Sequence, residues 1–347
     1  MTDLSILLII YDRGDYYNYP LRWMKYASKY LSNNKILIAD GSGNSEIKNI
    51  FKDKSNFKNL DYNYYEYKKD QSYGDYFSKL SDILSKVETE FSMLTDDDDF
   101  LSSDSINYSI DFLKKNLDYS TSGGRIGSFY LLERDKLDIN KYNIPKVSKS
   151  VISESSFNRV LKPYIFNYPH TFYDVHRTHF HKKNFKILSD NDFKEITMVE
   201  MLTEGLDVID GKSHKHNKLF GMRQLNFNNS SHKKFVNEKG SIINRAVFGD
   251  MSTDCKKWLE IISKEISKKD SINFDKVKKE VAKSYIKNIE YYLHNPKIKK
   301  NYNQIKKYLP NFLRVFKNNI ENFFKYNSKK SLFLEDEFLL KIYNHFK

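Results

Sequence analysis

The strongest constraint on the fold lies in the first hundred residues, where apolar runs of strand length alternate with segments of helical period. Leu4–Tyr11 is a continuous apolar run of strand length, as expected for a strand covered on both faces. After it, residues 21–31 (LRWMKYASKYL) place Leu21, Met24, Ala27, Ser28 and Leu31 at helical spacing. Residues 35–42 (KILIADGS) read as a second strand ending in a turn, and residues 59–67 (NLDYNYYEY) as a third. Residues 76–87 give Phe77, Leu80, Ile83, Leu84 and Val87 on one helix face. Residues 90–95 (EFSMLT) form a fourth strand, which delivers Asp96, Asp97, Asp98 and Asp99 at its end. Strands alternating with helices predict an α/β fold with a largely parallel sheet. Ligands of such sheets bind beyond the carboxyl ends of the strands. Asp12-Arg13, Asp40-Gly41-Ser42 and Asp96–Asp99 are all placed there, so they are expected to gather on one edge.

Beyond residue 150 the pattern is less regular until residues 193–212 (FKEITMVEMLTEGLDVIDGK), a helix followed by a strand starting near Gly211. After Cys255 the pattern becomes helical, and Phe312, Val315, Phe316, Ile320, Phe323 and Phe324 share one helix face. Two domains are expected: residues 1–250 as the α/β body and residues 251–347 as a basic helical region. The net charge of +13 is concentrated there, since residues 256–347 hold 22 Lys and Arg against 10 Asp and Glu. A basic region of this kind suits either solvated helix faces or a peripheral contact with an anionic membrane. No RNP-like, zinc-finger or recognition-helix motif accompanies it, so nucleic acid is not an expected partner. No apolar stretch approaches the ~20 residues that span a bilayer. The start Met1-Thr2-Asp3 lacks the basic region of a signal peptide. The single cysteine excludes an internal disulfide framework and a thiolate zinc site. The expected location is the cytoplasm, or its membrane face.

Four adjacent carboxylates repel one another and need either full solvation or a cation. An apolar strand before them and Phe100-Leu101 after them argue against a merely solvated run. Mg²⁺ and Mn²⁺ prefer hard oxygen ligands, one or two carboxylates with the remainder from water and phosphates. The cluster therefore predicts a metal-phosphate site. The histidines at 170, 176, 179, 181, 214 and 216 lack the His-Glu-x-x-His helical spacing and read as surface or acceptor-pocket residues. Gly123-Gly124-Arg125 is too short for a phosphate loop and is expected to shape the sheet behind the metal site.

At this point the chain resembles bacterial family-2-like glycosyltransferases with the GT-A fold, a Rossmann-like architecture with a mostly parallel central sheet. The resemblance rests on IIYDRGDYYNYPLRWMKYAS near the start, ILIADGS at the second strand and LTDDDDFLSSDSINYSIDFLKKNLDYSTSGGR around the acidic run. FYDVHRT and LFGMRQ continue it downstream. It covers about residues 4 to 226 and leaves the helical C-terminal region as an extension. The resemblance implies that Tyr11, Asp12 and Arg13 meet the nucleotide, although YDRGD stands where the family usually has Thr-Tyr-Asn-Arg-Pro. It places Asp40 on the base or ribose and turns Lys79 toward the donor. It also makes Asp97 and Asp99 the metal-binding pair, with Asp98 among the residues at the nucleotide. The run of four leaves the register Asp96 and Asp98 open, and strand alternation is expected to put only one pair on a given face.

The implied activity is a metal-dependent, inverting transfer of a sugar from a nucleotide-sugar donor to a glycan or lipid-linked acceptor, in cell-surface polysaccharide synthesis, with Mn²⁺ or Mg²⁺ as cofactor. Inversion needs a carboxylate that takes the acceptor proton. Glu195 and Glu200 compete for that role, and they lie about 140° apart on a helix of 3.6 residues per turn. Glu200 precedes Gly211 by the interval the family keeps, which favours Glu200. His176-Arg177 matches the acceptor-side segment and is expected to contact an anionic acceptor. Two other readings are a nucleotidyltransferase, against which no glycine-rich basic loop follows the first strand, and a non-enzymatic binding module built on the basic helices.

Overall fold

The computed structural model describes residues 3–12, 18–133, 136–166, 170–225, 250–294 and 337–345. Strand β1 (Leu4–Ile10) is flanked by β2 (Lys35–Asp40) on one side and β4 (Phe91–Asp96) on the other, all parallel. Beyond β2 lies β3 (Asp61–Glu66), also parallel. On the other side the order continues through β8 (Val175–Arg177), β6 (Tyr119–Glu133), β9 (Lys212–Gln224) and β5 (Asp99–Leu101), while β7 (Lys136–Asn143) pairs with β6. β8 is antiparallel to both β4 and β6, and β9 is parallel to β6, so six of the nine strands run the same way. The mixed α/β architecture with a mostly parallel central sheet is as expected.

Alternation along β1 divides its side chains between two apolar layers. Leu4, Ile6, Leu8 and Ile10 face one layer with Trp23 and Met24 of helix α1 (Asn18–Tyr30), Phe51 of α2 (Ser45–Lys52) and Ile106 of α4 (Ser103–Lys115). Leu7 and Ile9 face the other, with Phe77 of α3 (Tyr73–Ser85), Phe185 of α6 (Thr178–Ser189) and Leu202 of α7 (Ile196–Asp210). Helix α5 (Ser156–Phe166) adds Val160 to this second layer. Each buried aliphatic or aromatic side chain contributes about 1.5–3 kcal/mol of transfer free energy, so both layers hold the sheet flat against its helices.

The helices Asp250–Asp270 and Phe274–His294 bury Trp258, Ile262, Ile266, Val277 and Val281 in the second layer. The helix Glu337–His345 buries Phe338, Leu339 and Ile342 in the first, and His345 stands edge-on to Phe100, which follows the acidic run. The apolar face expected over residues 312–324 lies outside the described residues. Among the described residues, no helix is long and apolar enough to cross a membrane.

Candidate active site

β1 sits between β2 and β4, so chain connections leave it in opposite directions and a crevice opens beyond Ile10, Asp40 and Asp96. On the β2 side, Asp40 is buried and its Oδ1 accepts the backbone N–H of Ser42 at 2.8 Å and the Ser42 hydroxyl at 2.6 Å. Its Oδ2 accepts the Tyr64 hydroxyl at 2.6 Å. A carboxylate offers about four lone-pair sites, so three bonds fix Asp40 and leave one site for a ligand. Lys79 of α3 reaches up between β1 and β2, donates to the Ile10 carbonyl at 3.0 Å and pairs with buried Asp70. Gly41 makes this possible, because a Cβ there would collide with both Asp70 and Lys79. Burial pulls the Lys79 ammonium below its ordinary value, against the pull of Asp70, Asp40 and Asp96. Tyr11 is exposed at the mouth, Asp12 pairs with Lys69 at 2.5 Å, and Arg13 lies outside the described residues.

The four aspartates do not continue one strand. Asp96 ends β4, Asp97 and Asp98 form a turn, and Asp99 opens β5, which pairs with β9 on the far edge of the sheet. The expectation that alternation would sort them into two faces therefore fails, since the period of two ends where the extended backbone ends. Asp97 and Asp99 are 2% and 6% exposed. The turn is tied down by its neighbours: the Gln224 N–H donates to the Asp98 carbonyl at 3.2 Å, and the Tyr26 hydroxyl donates to the Leu101 carbonyl at 2.8 Å.

Asp99 stands opposite Arg223 in the β5–β9 pairing. The Arg223 Nε and Nη2 each donate to one oxygen of Asp99 at 3.3 Å. Burial pushes the Asp99 carboxyl up to about 7, against the pull of Arg223. The guanidinium lies 4.6 Å from the Tyr173 ring centre, and the Tyr173 hydroxyl donates to Asp96 at 2.7 Å. Arg223 also feels the charge of Asp96 and in turn acts on Glu200, so one chain of charges runs from the acidic turn to α7.

Glu200 is exposed on α7 and makes no side-chain hydrogen bond among the described residues. Burial by the surrounding protein raises its pKa above the ordinary carboxylate value, with Arg223 opposing. Glu195, the competing acid, is 1% exposed at the start of α7, and its backbone N–H is held by Asp254 at 2.8 Å. The structure thus brings Glu200, and not Glu195, to the charged rim as an accessible carboxylate.

Among the described residues, no three His, Cys, Asp or Glu side chains converge as a metal site. Asp97 and Asp99 could offer hard oxygens in the number that a nucleotide-bound Mg²⁺ or Mn²⁺ takes from protein, the rest coming from water and phosphate. The donor set fits a cation that arrives with its own phosphate ligands, not a fully caged one.

The acceptor role expected of His176-Arg177 is not supported by their surroundings. His176 is 2% exposed, donates from Nε2 to the Thr171 carbonyl at 3.0 Å and stacks on His181 with ring centres 4.0 Å apart. Arg177 donates to the carbonyls of Leu113, Asn116 and Tyr119 at 2.6, 3.2 and 2.8 Å, which completes the C-terminal end of α4. His181 and His216 are also buried, so these three histidines serve the interior, while His170 and His179 are exposed as expected. Gly123 and Gly124 do shape the sheet: a Cβ on Gly123 would collide with Asp174, and one on Gly124 with His216. Arg223, Tyr173 and Asp70 are the site residues that the sequence reading missed. Only LFGMRQ and FYDVHRT, which contain the first two, gave any signal.

No protein-family model matches the chain, and no curated protein matches it in sequence. Among solved structures it is similar to S. aureus TarS, with a TM-score of 0.43 and 12% identity over 84% of this chain and 54% of that one. The chain thus spans about half the length of that structure. It is similar to S. aureus TarS 1-349 in complex with UDP-GlcNAc, with a TM-score of 0.44 and 13% identity over 89% and 93% of the two chains. It is also similar to the mannosyltransferase PcManGT from Pyrobaculum calidifontis in complex with GDP-Man and Mn²⁺, with a TM-score of 0.46 and 7% identity over 96% and 88%.

Proposed function

We propose that this chain is a GT-A glycosyltransferase that moves a sugar from a nucleotide-sugar donor to a glycan or lipid-linked acceptor, with inversion at the sugar carbon. The observation that carries the reading is the meeting, beyond the carboxyl ends of β1, β2 and β4, of a buried acidic turn with an accessible carboxylate, Glu200, across Arg223. Asp40, with one lone-pair site left, and Tyr11 and Asp12 at the mouth would bind the nucleoside. Lys79 would set the positive potential behind the donor. Asp97 and Asp99 would hold a divalent cation, which as a Lewis acid offsets the charge that builds on a departing diphosphate. Glu200, free of hydrogen bonds to described residues, would take the proton from the attacking acceptor hydroxyl.

The same proposal makes residues 1–250 the catalytic body and residues 251–347 a supporting basic region in contact with anionic lipid. Trp258 and Ile262 pack in the core of the body, so that region supports α7 directly. Titration of UDP and GDP in the presence of Mn²⁺ tests the reading. One of them should raise the melting temperature, since a ligand at a hundred times its Kd adds about 2.7 kcal/mol of stability. EDTA should remove most of that gain. No stabilisation by any nucleoside diphosphate would contradict the transferase reading, and equal affinity with EDTA would contradict its metal.

A further inference from the structure

We propose that Arg223 holds Asp99 in the place of a divalent cation while the site is free of ligand, so that a metal must displace the guanidinium to bind. The inference rests on the reading of Asp97 and Asp99 as metal-binding residues. The pairing is built into the backbone: β5 and β9 place Asp99 directly opposite Arg223, so the ion pair is not a chance approach of two surface chains. Both oxygens of Asp99 are engaged, one by Nε and one by Nη2. A cation seated on either oxygen would face a full positive charge at close range, so the two compete for the carboxylate by charge repulsion although lone pairs remain. The fork is also loose. Both bonds measure 3.3 Å, against about 2.7–2.9 Å for a well-formed charge-assisted pair.

Arg223 has somewhere to go. Its side chain is 37% exposed, and the three N–H groups outside the fork have no partner among the described residues. It rests on the face of Tyr173, whose hydroxyl is anchored to Asp96 and which can carry the guanidinium through a swing. Glu200 lies within electrostatic reach of the guanidinium. Asp99 is therefore neutralised in the ligand-free protein without a metal, and the cation enters at the expense of an internal ion pair.

Binding of Mn²⁺ alone to the full chain, followed by calorimetry or by the loss of the free-ion paramagnetic signal, tests this without donor, acceptor or turnover. Arg223→Gln should bind Mn²⁺ at least tenfold more tightly than the unaltered protein. The double variant Arg223→Gln, Asp99→Asn should lose that gain. Binding by Arg223→Gln that is no tighter than in the unaltered protein, or a gain that survives Asp99→Asn, overturns the proposal. Should Arg223→Gln not fold, Arg223→Met decides: it keeps the length of the side chain without its charge, so Mn²⁺ should bind at least tenfold more tightly than in the unaltered protein, and equal or weaker binding overturns the proposal. Failure of the transferase reading appears elsewhere, as the absence of any response to UDP or GDP.

Discussion

Arg223 and Glu200 stand on different elements, yet the Arg223 cation acts on the Glu200 carboxyl. Surrounding protein holds the Glu200 carboxyl above its ordinary value, and the Arg223 cation opposes that shift. A general base works only when ionised, so kcat/KM should rise with pH through the Glu200 pKa. Replacing Arg223 with Gln removes a charge that favours the carboxylate, so the acid limb of the profile should move to higher pH. A limb that stays in place, or moves to lower pH, would show that the two charges do not act on each other. A second pair lies deeper: Lys215 of β9 donates to both oxygens of Asp174 at 2.7 and 2.6 Å and to the His170 carbonyl at 2.7 Å. Neither partner reaches solvent. Lys215→Met should therefore cost roughly 3–5 kcal/mol, the usual loss when one member of a buried pair is left alone. Urea unfolding measures it, and a loss below about 1 kcal/mol would mean that the pair is solvated.

Helix α7 carries Glu200 and begins against the helix Asp250–Asp270. Here Asp254 accepts the backbone N–H groups of Lys194 and Glu195, the two residues just before α7, at 2.7 and 2.8 Å. Asp254→Ala should cost about 1–3 kcal/mol, because it leaves those N–H groups without a partner. The urea midpoint should fall with an unchanged m-value, and no fall would remove Asp254 from that role. The elements themselves were legible because β1, β2 and β4 are apolar on both faces and their helices keep one apolar stripe, as in Phe77, Leu80, Ile83 and Leu84. The strand ends bearing Asp40 and Asp96 followed from that pattern. The partner of Asp99 did not, because β5 meets β9 across more than a hundred residues and nothing local marks the pairing. Nor could sequence show that the polar groups of His176 and Arg177 are satisfied inside the fold. Burial of a polar residue depends on partners brought from elsewhere, here Thr171, Leu113, Asn116 and Tyr119. The division of the aspartates by strand alternation failed for a local reason, since Asp97 and Asp98 turn the chain.

At the scale of the whole molecule, the helices Asp250–Asp270 and Phe274–His294 spend their apolar faces on the core, at Trp258, Ile262, Ile266, Val277 and Val281, and leave Lys256, Lys264, Lys268, Lys269, Lys276 and Lys279 exposed. The acidic excess lies in the crevice beyond β1, β2 and β4, where Lys79 and Arg223 offset only part of it. That imbalance is what a phosphate-bearing donor with its cation would relieve, and Glu200 on the open side is what would then act on an acceptor. Comparison of donor binding with turnover in Glu200→Gln tests this arrangement most directly. The account predicts that the nucleotide-sugar binds with its affinity nearly unchanged while kcat falls by a factor of roughly 10²–10⁴, the usual contribution of a general base. A Glu200→Gln protein that turns over at the unaltered rate would contradict it.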